Sequence, residues 1–181
     1  YRVTYEVIDG EQANHYAIGV PALGPALAED FPGLTQSVRL SDAEVHLSSG
    51  TEWHQEEEFL FADSPFFRVF GFELIRGDAS TVLTRPRTVV LTREMARKYF
   101  GDRDPIGQTL QLDFRGERPL EVTGIVENPP PNSHLDFDFL ASYGTLTSAV
   151  PWFDAENWLL RGSYTYVRLH PQAKASDLET R

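Results

Sequence analysis

Apolar and polar residues alternate from the first position: Val3, Tyr5 and Val7 stand opposite Arg2, Thr4 and Glu6, which predicts a strand over Tyr1–Val7 ending at an Asp9-Gly10 turn. The period lengthens over Leu23–Phe31, where Leu23, Leu27 and Phe31 fall on one helical face and Pro32-Gly33 stops the helix. Gly24 and Pro25 suit only its first turn. Gln36–Ser48 is extended, with Val38 and Leu40 in one phase and Val45 and Leu47 in the other, so Ser41–Glu44 is expected to hold a bulge, a corner or a turn. Glu56–Ala62 runs from acidic residues into Phe59 and Phe61 as a half-buried strand. Ser64-Pro65 then predicts a helix start with a hydroxyl cap and proline in the first position; Phe66, Phe67, Val69 and Phe70 form it and Gly71 ends it. Phe72 and Leu74 resume an extended run to Gly77-Asp78.

The second half is punctuated more sharply. Thr88–Leu91 is a β-branched strand, and Thr92 caps a helix whose Met95, Ala96, Tyr99 and Phe100 oppose Arg93, Arg97 and Lys98. Glu94 suits the dipole of its first turn, and Gly101 ends it. Ile106–Phe114 alternates into an Arg115-Gly116-Glu117-Arg118 turn and a partner strand over Leu120–Glu127, with Gly124 marking a bulge or close contact. The prolines of Asn128–Asn132 exclude an inner strand. Leu135–Leu140 is extended again, Leu146–Leu160 has no clear period, and Tyr164–Leu169 is a final strand. Ser176-Asp177-Leu178-Glu179 is a capping box announcing a helix. A strand without lead-in at one end and an interrupted helix at the other give the expectation that the natural protein continues on both sides.

Several of these segments, in this order, resemble the extracytoplasmic core domain of MacB/FtsX-type ABC transporter permeases. They are ADSPFFRVFGFELIRGD (Ala62–Asp78), VVLTREMARKYFG (Val89–Gly101), DPIGQTLQL (Asp104–Leu112), VTGIVENPPPNSHLDFDFL (Val122–Leu140) and YTYVRLHPQAKASDLE (Tyr164–Glu179). The resemblance implies an α+β, two-lobed domain. A membrane-proximal, porter-like βαβ lobe is built from 1–50 and 160–181, and a distal mixed α/β lobe from 51–159 is inserted in it. It implies a periplasmic location on a bacterial inner-membrane protein, with its own transmembrane helices, a separate ABC ATPase subunit, a permease dimer and a periplasmic adaptor or lipoprotein as partners. The implied role is non-enzymatic: coupling ATP-driven motion of the membrane helices to export or release of a substrate. The alternative is a stand-alone periplasmic binding module for a peptide or lipid, favoured by a deep apolar pocket with convergent polar groups. A hydrolase is a third reading, favoured by a close nucleophile–base pair.

Composition narrows the chemistry. With 27 Asp+Glu against 16 Lys+Arg and a formal net charge of −11 over 181 residues, nucleic acid and anionic lipid are poor main partners. The absence of cysteine removes disulfides, thiol nucleophiles and thiolate metal sites. No stretch of the chain reaches the roughly 18 apolar residues of a membrane span.

Individual residues are weighed the same way. Ser133-His134-Leu135-Asp136 tempts a catalytic reading, but neighbours on a strand point to opposite faces; Ser133 and Asn132 are expected to brace the proline loop. Asp136 with Asp138, and His54 with Glu56, Glu57 and Glu58, are carboxylate groupings without a ligand spacing that specifies a metal. Phe66, Phe67, Phe70 and Phe72 are read as core, and Trp152 and Trp158, if exposed, as a partner or ligand surface. No catalytic, cofactor-binding or metal residue is assigned, no cofactor is expected, and no phosphate-loop spacing is present.

Overall fold

The computed structural model describes residues 1–9, 12–151, 153 and 157–176. Gly10 of the first turn, Trp152 and the capping box beyond Ser176 lie outside the described residues. In chain order the elements begin with β1 (Arg2–Val3), β2 (Tyr5–Asp9), β3 (Gln12–Tyr16), β4 (Ile18–Gly19), α1 (Leu23–Asp30) and β5 (Leu34–Ser48). They continue with β6 (His54–Ala62), α2 (Phe66–Phe70), β7 (Leu74–Arg76), β8 (Thr88–Thr92), α3 (Arg93–Phe100) and β9 (Thr109–Asp113). β10 (Glu117–Val126), β11 (Phe139–Ser142), α4 (Tyr143–Ala149) and β12 (Ser163–Leu169) complete the set. The chain forms two compact units, Tyr1–Leu40 with Trp152–Arg181, and Ser41–Pro151.

In the first unit β12 is the common neighbour. It pairs antiparallel with β1 (Arg2 opposite Tyr166, Val3 opposite Thr165), with the first half of β5 and with β4. The Tyr1 amine extends the β1 ladder, donating to the Val167 carbonyl at 2.9 Å. Helix α1 packs on β12, and Val38, Leu40, Ala22, Phe31 and Val167 are buried. The single strand expected over Tyr1–Val7 is broken at Thr4: only Arg2 and Val3 join β12, while β2 pairs with β3 in a separate two-stranded ladder. Ring contacts account for the break. Tyr5 stacks on Tyr16 across the hairpin at 5.5 Å, and the Arg161 guanidinium lies 5.3 Å from the first ring and 4.6 Å from the second.

The second unit is built on a ladder that closes on itself. The second half of β5 neighbours β6, β6 pairs with β11, β11 with β8, β8 with β10, β10 with β9, and β9 returns to β5 through Leu47–Leu112 and its two flanking pairs. Alternate residues are fully buried along the ring: Val45 and Leu47, Phe59 and Phe61, Leu110 and Leu112, Leu120 and Val122. Helix α3 packs on β8 and β10, and α4 on β6 and β11. Strands β8 and β11 are therefore buried on both faces, which is why TVVLT and FLAS read as continuous runs.

Local chemistry sets the joints. Thr92 accepts from the Met95 N–H at 3.3 Å and caps α3, whose Met95, Tyr99 and Phe100 are buried. The register shift between Val122 and Gly124 is the anticipated bulge, and a Cβ at Gly124 would stand 3.2 Å from the Arg76 carbonyl. Gly71 ends α2 at φ 72°. Two expectations are corrected. Ser64 does not cap α2: Pro65 takes the cap position, and the Phe66 N–H bonds the Asp63 carbonyl at 3.1 Å instead. Of the run Leu135–Leu140, only Phe139 and Leu140 enter a ladder, because the proline loop holds 135–138 outside it. The change of phase expected at Ser41–Glu44 is present, with Leu40 and Ser41 both buried; of the bulge, corner or turn anticipated there, a turn is absent, since β5 runs through. The divide between the two units, at Leu40 and Ser41, lies inside this strand, whereas the sequence division at 50/51 rests on weak strand pattern.

Phe66 is fully buried and meets the rings of Phe67, Phe70, Phe72 and Phe137 at 4.9–5.6 Å. Phe66→Ala is expected to lower the unfolding free energy by about 3–5 kcal/mol, with Phe66→Leu costing clearly less. Urea titration of the isolated chain measures both. Equal, small losses would show that this cluster is not a packed core.

Candidate functional site

The chemically dense region of the second unit lies where α3 begins and β8 and β10 end. Asp138 ties three segments there: its N–H donates to the Glu58 carbonyl at 2.7 Å, and its carbonyl accepts from the Thr92 N–H at 3.0 Å. The Asn128 side chain, at the start of the proline loop, reaches the first turn of α3. Its Nδ2 donates to Glu94 Oε2 at 3.1 Å and its Oδ1 accepts from the Glu94 N–H at 3.3 Å. Arg93 pairs with Glu127 beside it.

Glu56 is the buried acid of this region, only 6% exposed. Lys98 Nζ donates to its Oε1 at 2.7 Å, and the Tyr99 hydroxyl donates to the same oxygen. The His54 ring meets Tyr99 edge-on at 5.8 Å. Burial, and then the bond to Glu56, push the Tyr99 hydroxyl far above the ordinary tyrosine range. Asp138 is raised as well, by burial first and then by Glu56 and Glu94, with Lys98 opposing. Glu58 is raised by burial and by Asp136, Glu57 and Asp42. This is a crowded acidic neighbourhood held by one ammonium and one phenol. Among the described residues no group of His, Asp and Glu side chains has a geometry that holds a metal ion.

The residues singled out in the sequence take up these places. Ser133 braces the loop: its Oγ accepts from the Leu135 N–H at 3.1 Å, and its N–H bonds the Pro130 carbonyl at 2.8 Å. The His134 ring lies 6.3 Å from that of Phe70. Asp136 is exposed and Asp138 half-buried, outside any strand. Phe66 and Phe67 are core, as read, but Phe70 and Phe72 are half-buried and, with Glu73, Glu127, Pro130, and His134, line an open cleft of about 440 Å³. Of the two readings the sequence offers for these four phenylalanines, packed core or hydrophobic groove, Phe66 and Phe67 follow the first, while Phe70 and Phe72 lie on the cleft. Trp158 of the first unit is 58% exposed, with Leu159 beside it 91% exposed. Asn157 Oδ1 holds that tip by accepting from the N–H groups of Leu159 and Leu160 at 2.9 and 3.0 Å.

This mixed α/β architecture has known relatives. The chain matches the family of MacB-like periplasmic core domains over residues 3–181 and belongs to that family. Among solved structures it is similar to a Porphyromonas gingivalis domain described as part of a permease, at 24% identity and a TM-score of 0.76, covering 92% of this chain and 75% of that one. It is also similar to the periplasmic region of MacB from Actinobacillus actinomycetemcomitans, at 17% identity and a TM-score of 0.68, covering 90% of this chain and 71% of that one. The extracellular domain of the noncanonic ABC-type transporter YknZ from Gram-positive bacteria follows at 17% identity and a TM-score of 0.59, covering 84% and 72%. No curated protein matches the chain. Among the described residues no helix is long and apolar enough to cross a membrane.

The raised Asp138 carboxyl has a consequence for stability. A carboxylate whose folded pKa lies above its ordinary 3.8 binds protons more tightly when folded, so its contribution to stability falls as pH rises from that value through the raised one. Asp138→Asn is expected to raise the urea midpoint at pH 7 and to lose that advantage toward pH of about 4. An equal advantage at both pH values would mean that charge at Asp138 is not what costs stability.

Proposed function

We propose that this chain is the extracytoplasmic part of an ABC transporter permease subunit that carries ATP-driven motion of membrane helices to the outer side, where a substrate is exported or released. Membership of the MacB-like periplasmic core domain family over residues 3–181 carries the reading. The chain's architecture supports it. The first and last described strands, β1 and β12, are hydrogen-bonded neighbours in one unit, while Ser41–Pro151 is a single uninterrupted insertion. An insertion reached by only two chain crossings can move as a body, which is what transmission requires. In this reading the first unit is the membrane-proximal, porter-like lobe and the second the distal lobe. ATP hydrolysis belongs to a separate ATPase subunit and no catalytic step belongs to this chain. The permease works as a dimer, and a periplasmic adaptor or lipoprotein meets the outer side. The family also implies membrane spans of about 20 apolar residues flanking this segment in the whole subunit.

The chain has no cysteine, so spin labels placed in it meet no background from this domain, and any cysteine elsewhere in the subunit or its ATPase is first replaced by serine. One label pair joins exposed sites in different units, Glu29→Cys and Gln111→Cys; a control pair, Arg68→Cys and Gln111→Cys, stays within the second unit. In the whole subunit, reconstituted with its ATPase, the distance distribution of the first pair is expected to shift between nucleotide-free and ATP-bound states while the control holds. If neither pair responds to ATP, the coupling role is wrong for this chain.

A further inference from the structure

The cleft beside the proline loop brings aromatic and acidic groups together at the solvent edge of the Phe66 cluster. Phe70 and Phe72 stay half-exposed in it, although the neighbouring Phe66 and Phe67 are buried. Glu73 lines the same cleft, is exposed, and its carboxylate has no ion-pair or hydrogen-bond partner among the described residues. Glu127 lines the cleft as well and shares its charge with Arg93. The walls are held by the backbone: the Glu127 N–H bonds the Glu73 carbonyl at 3.0 Å, and the Ser133 turn fixes the loop rim. At about 440 Å³ the space is at the small end of ligand sites, large enough for one long side chain and short of a large amphiphile.

An aromatic pair beside an unpaired carboxylate, open to solvent on an acidic chain, selects a cation with a flat or methylene body. Guanidinium fits better than ammonium. It stacks on an aromatic face, keeps its charge at every accessible pH and meets a carboxylate through two parallel N–H bonds. We propose that this cleft receives an arginine side chain of an extended polypeptide, with the guanidinium on Glu73 and its methylene stem against Phe70 and Phe72. The site is argued from its own lining and stands whether or not the transport role holds.

The test titrates the blocked tripeptide acetyl-Gly-Arg-Gly-amide into the isotope-labelled chain and follows backbone amide shifts up to about 10 mM, a range that reaches millimolar affinities. The same peptide with citrulline, which keeps the shape and loses the charge, is the control. Shifts are expected at residues 70–73 and 127–135, with the citrulline peptide and the Glu73→Gln variant each binding about tenfold more weakly, as the loss of a charge-assisted bond requires. Glu73 is exposed, so the variant is expected to fold; its unshifted spectrum elsewhere verifies that. Glu29→Gln, in the other unit, controls for net charge and should leave binding unchanged. Equal binding of the citrulline peptide, shifts confined to other regions, an equal loss from Glu29→Gln, or no shift at all would each overturn the proposal.

Discussion

The second unit depends on the return of β9 to β5. His46, Leu47 and Ser48 face Asp113, Leu112 and Gln111, and these few pairs convert a row of strands into a closed ring. Closure does two things at once. It satisfies the outward N–H and C=O groups of β5 and β9, which would otherwise be adhesive edges, and it gives the alternate residues of six strands a common interior. Leu47, Leu110, Leu112 and Leu120 are all fully buried there, although Leu47 lies more than 60 residues before the hairpin that carries the other three. Strand β7 stays outside the ring on the far end of β10. It is short and carries Arg76, locked to Asp104 through two N–H bonds of 3.0 and 3.1 Å, in keeping with a guarded edge.

Once the ring is closed, polar residues are pushed to its ends, and the parallel pair β8 and β10 explains why they gather where α3 begins. Both strands finish there, at Thr92 and Val126, and their connections must turn away through capped or proline-bearing backbone. Thr92, Asn128 and Asp138 each close a backbone account left open by a strand or helix terminus. Glu56 enters the same region on β6 and is tolerable in a buried position because an ammonium and a phenol both reach one of its oxygens. The acidity of the neighbourhood is thus tied to chain reversal, and its open side is where the half-buried Phe70 and Phe72 are left.

Legibility in the sequence followed the range of the interaction concerned. Helix α3 was readable to its cap because Thr92, Glu94 and Gly101 act within one or two turns of the residues they govern. The β9–β10 hairpin was readable because its turn residues, with Arg115 and Gly116 at positive φ, sit between alternating runs. The closure of the ring was not, since no local pattern says that Leu47 will face Leu112. The break after Val3 was equally hidden. A clean alternation continues across Thr4, and the partner of Tyr5 across the new ladder, Tyr16, is set by a hairpin that the alternation does not announce. In the candidate site, the carboxylates were visible as letters but their division was not: Glu56 is buried and bonded, Asp138 is strained by its neighbours, and Asp136 is simply solvated.

The change of phase in β5 joins these threads. At Leu40 and Ser41 consecutive side chains are buried, which a strand with a single covered face cannot do. Before that point β5 pairs with β12 and contributes Val38 and Leu40 to one core; after it, Val45 and Leu47 belong to the ring. Because β5 runs unbroken through this point, one strand supplies buried residues to two cores, and its change of phase is the local record of that double duty.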